Sequence, residues 1–377
     1  MRSSSGELEG FDVEVARAYA DDRGRPLELV PFRWPDLGAK IATGDFDVAM
    51  SGVTVRGDRL VRYPMTAAVA RADAVLVVRE EDAAKPGAAG APRGASRTPA
   101  SRGVVAVNRG GHLEQVARSA LSGADLRTVE DNTTLPTILA RGDVDAVVTD
   151  TLELHSFGEG FAVAEVLQRD RKGYWVRDDE LRRDLDAWLA EKEADGTLDR
   201  LRARHLSGAR TSSLPDAELR AVDLVGRRLA LMPFVAEAKR ARDLPVDAPA
   251  REAVVEERLL AEASEAGLCP EPYRALVRAQ IEAAKAVQRA VLAAPAKTPA
   301  TPPFDLDTDL RPAIDRVDTA LLFELLSAAP FRGSESDLVT ALEADATAPG
   351  VSDAERRRLA EALKAQRPAP CASTPER

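Results

Sequence analysis

The chain is poor in the residues that build covalent cross-links and metal centres. Its 377 residues include two cysteines, Cys269 and Cys371, and three scattered histidines, His112, His155 and His205. Two cysteines exclude a disulfide framework and a four-cysteine zinc cluster, and the scattered histidines argue against a metal site. The cysteines could pair in an oxidising compartment, but the sequence gives no distance between them. We expect no metal and no cofactor.

The chain also lacks an excess of basic residues and any long apolar run. Its net charge is −10 and its pI is about 5.1, which argues against a nucleic-acid partner. It has no run of eighteen apolar residues that could span a membrane, and its opening segment MRSSSGELEG has no apolar signal-peptide core. The length is sufficient for two or three domains with full cores.

Basic residues in the second half occupy positions where a helical protein ordinarily places leucine. A helix predicted over residues 215–242 has apolar residues at three- and four-residue steps, the pattern of a core-facing helix. Arg228 and Lys239 lie on the same stripe. Their separation of eleven residues makes about three turns, so they differ by only about 20° around the helix axis.

Three further predicted helices carry polar residues beside their apolar faces in the same way. The first is capped by Asp247, and the second covers residues 270–292. The polar residues are Arg251 and Glu252 on the first helix, Gln288 on the second and Arg311 on the third. Each basic side chain could extend from the edge of a core to water. Because unpaired buried cations are costly, four of them on inward faces instead favour a helical bundle that encloses an anion.

This spacing resembles the active-site pattern of the all-helical chorismate mutases, and residues 214–367 are similar to their secreted gamma subclass. The resemblance implies that three arginines hold the two carboxylates of chorismate, namely Arg228, Arg251 and Arg311. It also implies that Lys239 and Gln288 donate to the ether oxygen and that Glu252 accepts the ring hydroxyl. The rearrangement to prephenate is unimolecular, so it requires only a fixed conformer and stabilised charge. Ala284 departs from the pattern, since relatives often carry a small hydroxyl there.

The first half alternates predicted helices with short strands, which indicates an α/β fold with parallel sheets. GFDVEVARAYADDRG and WPDLGAKIATGDFDVAMSG predict helices, the second followed by a strand, and LELVPF and ADAVLVVRE predict strands. Residues 83–102 are rich in Ala, Gly, Pro, Ser and Arg and predict a flexible linker or loop. Beyond them, GVVAVNRGG, LRTVE and VDAVVTD predict further strands separated by helices.

These segments resemble the periplasmic solute-binding proteins of the amino-acid type, in which two lobes close on a ligand. The resemblance implies lobe one over about 1–80 and 168–207 and lobe two over about 103–167. NRGG, EDNTT and TDTLE are more closely similar to cyclohexadienyl dehydratase, an enzyme built on this fold, and Glu153 falls on its general acid. The implied substrate-binding residues are Trp34, Ser51, Thr54, Arg59 and Asp150.

Two departures from this family pattern concern the ligand pocket. Only nine residues precede GFD, where family members have a first strand, so we expect a start codon placed too late and a signal peptide lost upstream. Ala67 and Ala68 replace an aromatic residue, and His112 and Leu113 stand where small polar residues usually follow the glycine turn. We therefore expect an altered or degraded pocket.

The sequence thus predicts a two-lobed α/β periplasmic-binding-protein-like domain over 1–207, a linker at 208–216 and an all-α chorismate mutase domain over 217–370. The predicted function is bifunctional phenylalanine biosynthesis in the periplasm or outside the cell. Chorismate would become prephenate, and prephenate or arogenate would then lose water and carbon dioxide. Alternatively only the mutase is active, and the first half is a module that binds an amino acid or prephenate. The expected partners are these small molecules, and a homodimer is compatible with the sequence.

Overall fold

The computed structural model describes residues 8–31, 37–50, 52–83, 103–206, 216–295 and 303–371. The predicted linkers at 83–102 and 208–216 lie almost entirely outside the described residues, as do Trp34 and Ser51. The chain divides into two compact units. The first comprises Met1–Thr54, Ala68–Arg177 and Asp195–Ala209, and the second comprises Val55–Ala67, Asp178–Ala194 and Arg210–Arg377.

Helices and strands alternate in the first half, and helices alone follow in the second. In chain order the elements are α1 Phe11–Asp22, α2 Leu37–Thr43, β1 Val48–Ala49, α3 Gly57–Arg62, β2 Ala70–Arg71, β3 Ala74–Arg79, α4 Glu80–Ala83, β4 Val104–Asn108, α5 His112–Ala120, β5 Asp125–Val129, α6 Leu135–Ala140, β6 Ala146–Asp150, α7 Thr151–Leu154, β7 Phe161–Gln168, β8 Arg171–Lys172, β9 Trp175–Val176, α8 Asp179–Ala194, α9 Thr197–His205, α10 Asp216–Ala241, α11 Pro249–Ala266, α12 Pro270–Ala293, α13 Arg311–Ala328, α14 Glu335–Asp345 and α15 Asp353–Lys364.

A five-stranded sheet with the order β5-β4-β6-β3-β7 forms the centre of the first unit. Successive side chains of a strand point to opposite faces, so both faces of the sheet can be covered. Leu76 packs with Ala117 of α5 on one face, and Val75 packs with Leu135 of α6 on the other. The sheet is parallel only in part: β4 runs parallel to β5 and β6, whereas β3 pairs antiparallel with β6 and β7. The strand ADAVLVVRE, expected in lobe one, therefore lies in the same sheet as strands expected in lobe two.

The remainder of the first unit has little sheet. β1 pairs with β9 and β2 with β8, each over two residues. The strand predicted for LELVPF is not formed: residues 27–31 have no regular structure, and Leu27 and Val30 are exposed. A strand needs a hydrogen-bonded neighbour, and within the described ranges no segment pairs with these residues.

The second unit is a helical bundle in which α10 packs against α12, α13 and α14, and α15 packs against α12 and α14. The helices predicted over 215–242 and 270–292 are confirmed to within one residue at each end. The helix between them begins later than predicted, with Ala248 at its N-cap position. Asp247 is therefore not the cap, and its carboxylate instead accepts hydrogen bonds from Arg289.

Cys269 and Cys371 form a disulfide bond with a Cα–Cα distance of 5.5 Å. The bond joins the turn between α11 and α12 to the segment that follows α15. Cys269 N also donates to Arg367 O at 3.0 Å, and Ala369 N donates to Gly267 O at 2.8 Å. The alternative that the sequence left open is thus decided in favour of pairing.

The second unit includes two segments that precede the helical bundle in the sequence, one with α3 and one with α8. Of these, α3 packs on α10 and α13. Gly57 at the start of α3 permits this approach: a Cβ atom there would lie 2.3 Å from Ala230 O. Arg316 of α13 donates to Leu60 O at 3.0 Å and satisfies a carbonyl near the end of α3. The second unit therefore includes residues that lie before the predicted linker at 208–216.

Candidate functional site

The helices α10, α11, α12 and α13 enclose a cavity of about 170 Å³. The six residues predicted for this half all line it, namely Arg228, Lys239, Arg251, Glu252, Gln288 and Arg311. Arg258 and Lys285 bring the cations in the lining to six, whereas the carboxylates are Glu252, Asp315 and Asp318. The cavity thus carries an excess of positive charge in a chain whose net charge is −10. Such a lining suits an anionic ligand.

Arg228 is held by a carboxylate that the sequence analysis did not identify. Its Nε donates to Asp318 Oδ1 at 2.8 Å, and both side chains are buried. Arg228 Nη1 and Asp318 Oδ2 are also buried, and neither has a hydrogen-bond partner within the described part of the chain. One edge of the guanidinium group therefore remains available to a ligand carboxylate.

Lys239 lies about three turns after Arg228 on α10. Its Nζ donates to Val246 O at 3.0 Å. Burial lowers the pKa of Lys239, and the nearby cations Arg311 and Lys285 lower it further, while Glu252 and another carboxylate act in the opposite direction. The ammonium is thus partly desolvated, which strengthens any hydrogen bond that it donates to a ligand.

Gln288 of α12 is buried, and its amide has weak partners. Its Nε2 lies 3.8 Å from Met232 Sδ, and within the described part of the chain its Oε1 has no hydrogen-bond partner. A thioether is a poor acceptor. The amide can therefore donate to a ligand oxygen without giving up a strong bond.

The other three predicted residues are less buried. Glu252 Oε1 accepts from Ala248 N at 3.0 Å, and its Oε2 lies 3.2 Å from Lys285 Nζ. Arg311 is 42% exposed and pairs with Asp307. Arg251 is exposed, and no hydrogen bond or ion pair to another described residue involves it. Each carboxylate oxygen has two lone pairs, so Glu252 can still accept a bond from a ligand hydroxyl.

Asp318 was not among the predicted site residues, although its spacing in the sequence carried a signal. Asp318 follows Arg311 by seven residues, about two helical turns, so both lie on the same face of α13. Arg258 follows Arg251 by the same spacing on α11. Met232 gave no signal, because an apolar residue on an apolar stripe reads as core.

Glu153 of α7 lies at the carboxyl end of β6 in the first unit. Its Oε1 accepts from Asn132 Nδ2 and its Oε2 from Thr149 Oγ1, each at 2.8 Å. Burial raises the pKa of Glu153, and the neighbouring Asp150 raises it further, against the hydrogen bonds and the charge of Lys172. A carboxyl group with a raised pKa can carry a proton closer to neutral pH.

Lys172, which was not among the predicted site residues, contacts both Asp150 and Thr54. Lys172 Nζ lies 3.0 Å from Asp150 Oδ2 and donates to Thr54 Oγ1 at 3.0 Å. Asp150 Oδ1 also accepts from Glu153 N at 2.9 Å and caps α7. The predicted residue Arg59 is buried on α3, which belongs to the second unit.

His112, which departs from the family pattern, has a polar partner in the first unit. Its Nε2 lies 2.6 Å from Asp170 Oδ2, and Gln168 donates to Asp170 Oδ1 at 2.8 Å. No group of three or more His, Cys, Asp or Glu that could hold a metal occurs within the described ranges. Within the same ranges, no helix is both long enough and apolar enough to cross a membrane.

Comparison with known proteins assigns a different family to each half of the chain. Residues 1–208 match the family model of bacterial extracellular solute-binding proteins, family 3, and residues 216–289 match that of chorismate mutase type II. Cyclohexadienyl dehydratase of Pseudomonas aeruginosa is 28% identical over 220 residues, which cover 54% of this chain and 76% of that protein. The L-cystine-binding protein TcyJ of Escherichia coli is 27% identical over 208 residues, covering 53% and 75%.

Among solved structures, an ancestral amino-acid-binding protein described as a precursor of cyclohexadienyl dehydratase is 26% identical with a TM-score of 0.49, covering 55% of this chain and 89% of that one. The solute-binding match extends over more than half of the chain, and the mutase match includes α10, α11 and most of α12. The chain therefore belongs to the bacterial extracellular solute-binding proteins of family 3 and carries a chorismate mutase type II domain in its second half.

Proposed function

We propose that the helical cavity binds chorismate and catalyses its rearrangement to prephenate. We further propose that Glu153, with the neighbouring Asn132, Thr149 and Asp150, then converts prephenate to phenylpyruvate. The observation that carries the first step is the convergence of all six predicted residues on one positively charged cavity. A cavity of about 150 Å³ in another protein binds benzene. The volume of about 170 Å³ here is accordingly suited to a single six-membered ring.

The polar groups of the cavity match the features of chorismate. Arg228, Arg251 and Arg311 would hold the two carboxylates, for which a forked guanidinium is well suited. Lys239 and Gln288 would donate to the ether oxygen, where negative charge develops as its bond to the ring breaks. No proton is transferred in this rearrangement, so residues that fix one conformer and stabilise charge are sufficient.

The mutase assignment is tested by Lys239→Ala. We expect the rate of prephenate formation to fall by about a hundredfold or more, the loss typical of removing one donor to a developing oxyanion. Lys192→Ala serves as the control, because Lys192 does not line the cavity. A Lys239→Ala variant that stays within about threefold of the wild type would show that Lys239 is not the ether-oxygen donor.

In the first unit, Glu153 would act as general acid on prephenate. The bond from the ring to its carboxylate would break and release carbon dioxide, and the electron pair would complete the aromatic ring. The ring hydroxyl would leave as water with the proton of Glu153. The raised pKa of Glu153 and its orientation by Asn132 and Thr149 support this role. Arogenate, which would give phenylalanine, is a second possible substrate of the same chemistry.

Glu153→Gln tests the second step, with Glu159→Gln as a matched control on an exposed carboxylate. We expect the first variant to lose phenylpyruvate formation from prephenate, because an amide has no acidic proton to give. Ligand-induced thermal stabilisation should persist, since the amide keeps the shape of the side chain. Binding of prephenate or an amino acid without turnover by the wild type would instead favour the binding module.

We further propose a periplasmic or extracellular location. Membership of an extracellular solute-binding family and the Cys269–Cys371 disulfide support it, because disulfides persist in oxidising compartments. Labelling of free thiols in the protein isolated from its natural compartment tests this, since a cytoplasmic protein would be reduced. The homodimer stays a prediction, which light scattering would decide.

A further inference from the structure

We infer that Asp318 is a positioning residue for Arg228 in the mutase reaction, an inference that rests on the proposed function of the cavity. Asp318 belongs to α13 and Arg228 to α10, so the contact joins two walls of the cavity. The Nε–Oδ1 distance of 2.8 Å is that of a charge-assisted hydrogen bond. Both side chains are more than nine-tenths buried.

The geometry of this pair differs from that of a pair built for stability. A buried arginine and carboxylate gain most when two parallel bonds satisfy both groups. Here Asp318 accepts from Nε alone, and Arg228 Nη1 and Asp318 Oδ2 stay buried without a hydrogen-bond partner among the described residues. Burying an unsatisfied donor is costly, so the geometry suggests that a ligand carboxylate accepts from Nη1.

The single bond to Nε has a consequence for the guanidinium group. Anchoring Nε restricts rotation about the last bonds of the side chain and so fixes the plane of the group. The opposite edge, with Nη1, then keeps one orientation before the substrate arrives. Orientation fixed in advance lowers the entropy that must be lost in the reaction, and a misplacement of about 1 Å can cost about a hundredfold in rate.

Asp318→Asn tests this role, because asparagine keeps the size and an acceptor oxygen but removes the charge. Arg228 then keeps its positive charge without a compensating acid, so KM for chorismate should be unchanged or lower. The weaker neutral hydrogen bond holds the guanidinium less firmly, so kcat should fall about tenfold or more. Asp345→Asn is the control, since Asp345 is a buried acid of α14 that does not line the cavity.

A double-mutant comparison separates positioning from general support of the fold. In an Arg228→Ala chain, adding Asp318→Asn should change kcat by less than about threefold, because the group that Asp318 positions is gone. Equal losses of kcat in both backgrounds, or an unchanged kcat in the single variant, would overturn the inference. Should Asp318→Asn fail to fold, Asp318→Glu keeps the negative charge but moves the carboxylate by one methylene, for which we again expect a lower kcat, and an unchanged kcat would overturn the inference.

These outcomes remain distinct from failure of the proposed function. A wild-type chain without mutase activity would overturn the proposed function and this inference together. An active wild type whose Asp318→Asn variant keeps the wild-type kcat would overturn this inference alone.

Discussion

A single methyl group added at Gly57 should destabilise the second unit, because the space beside that residue is already occupied. The Cβ atom of an alanine would lie 2.3 Å from Ala230 O and 2.8 Å from Phe234 Cε2. Ordinary contacts between carbon atoms are about 3.5–4.0 Å, so α3 and α10 would have to separate by about 1 Å. The oxygen belongs to the backbone of α10 and cannot turn aside.

The loss of free energy of unfolding can be estimated from two opposing effects of the added methyl group. Adding a methyl group to a well-packed site typically costs about 1–3 kcal/mol. The better helix propensity of alanine offsets at most about 1 kcal/mol of this. We therefore expect a net loss of about 1–2 kcal/mol, which for a domain of this size lowers Tm by about 2–8 °C.

Thermal unfolding followed by circular dichroism and calorimetry measures the effect of Gly57→Ala. Gly123→Ala is the matched control, since a Cβ atom at Gly123 would have no heavy atom within 4 Å. If both variants unfolded within about 0.5 kcal/mol of the wild type, the close packing of α3 on α10 would be refuted.

Three further predictions concern charge and covalent linkage. Because burial lowers the pKa of Lys239, the mutase rate should begin to fall with rising pH at a lower pH than the titration of an ordinary lysine would give. Lys239→Arg should remove this alkaline decrease from the pH–rate profile, because arginine stays protonated. The same alkaline decrease in both proteins would contradict the prediction. Burial raises the pKa of Glu153 in the folded state, so its negative charge destabilises the fold above that pKa, and this penalty is absent below the pKa of the unfolded state. Glu153→Gln should therefore raise the free energy of unfolding near neutral pH and lose this gain in acid. Urea titrations at both pH values that show the same difference between variant and wild type would contradict the prediction. Replacing both Cys269 and Cys371 with serine should lower the free energy of unfolding by about 2–4 kcal/mol, and equal urea midpoints with and without the bond would argue against a stabilising role.

The residues of the mutase cavity could be predicted from the sequence because helical spacing is local. Arg228 and Lys239 share a face of α10 whatever packs against it, since 3.6 residues complete each turn. The ends of α10 and α12 were predictable for the same reason, as an apolar stripe ends where the helix ends. Four basic residues on predicted inward faces then indicated an anionic ligand before any distance was known.

Contacts between distant segments could be decided only by the tertiary structure. Asp318 meets Arg228 across 90 residues, and Lys172 meets Thr54 across 118, and neither separation follows a local repeat. Residues 27–31 of the predicted strand LELVPF have suitable side chains but pair with no segment in the described ranges, whereas β3 pairs with β6 and β7. Apolar periodicity predicts that a face of a helix or strand will be buried but not which segment covers it, because many apolar surfaces could pack against that face equally well. For this reason the six residues of α3 do not predict that this helix packs with the helices of the second unit.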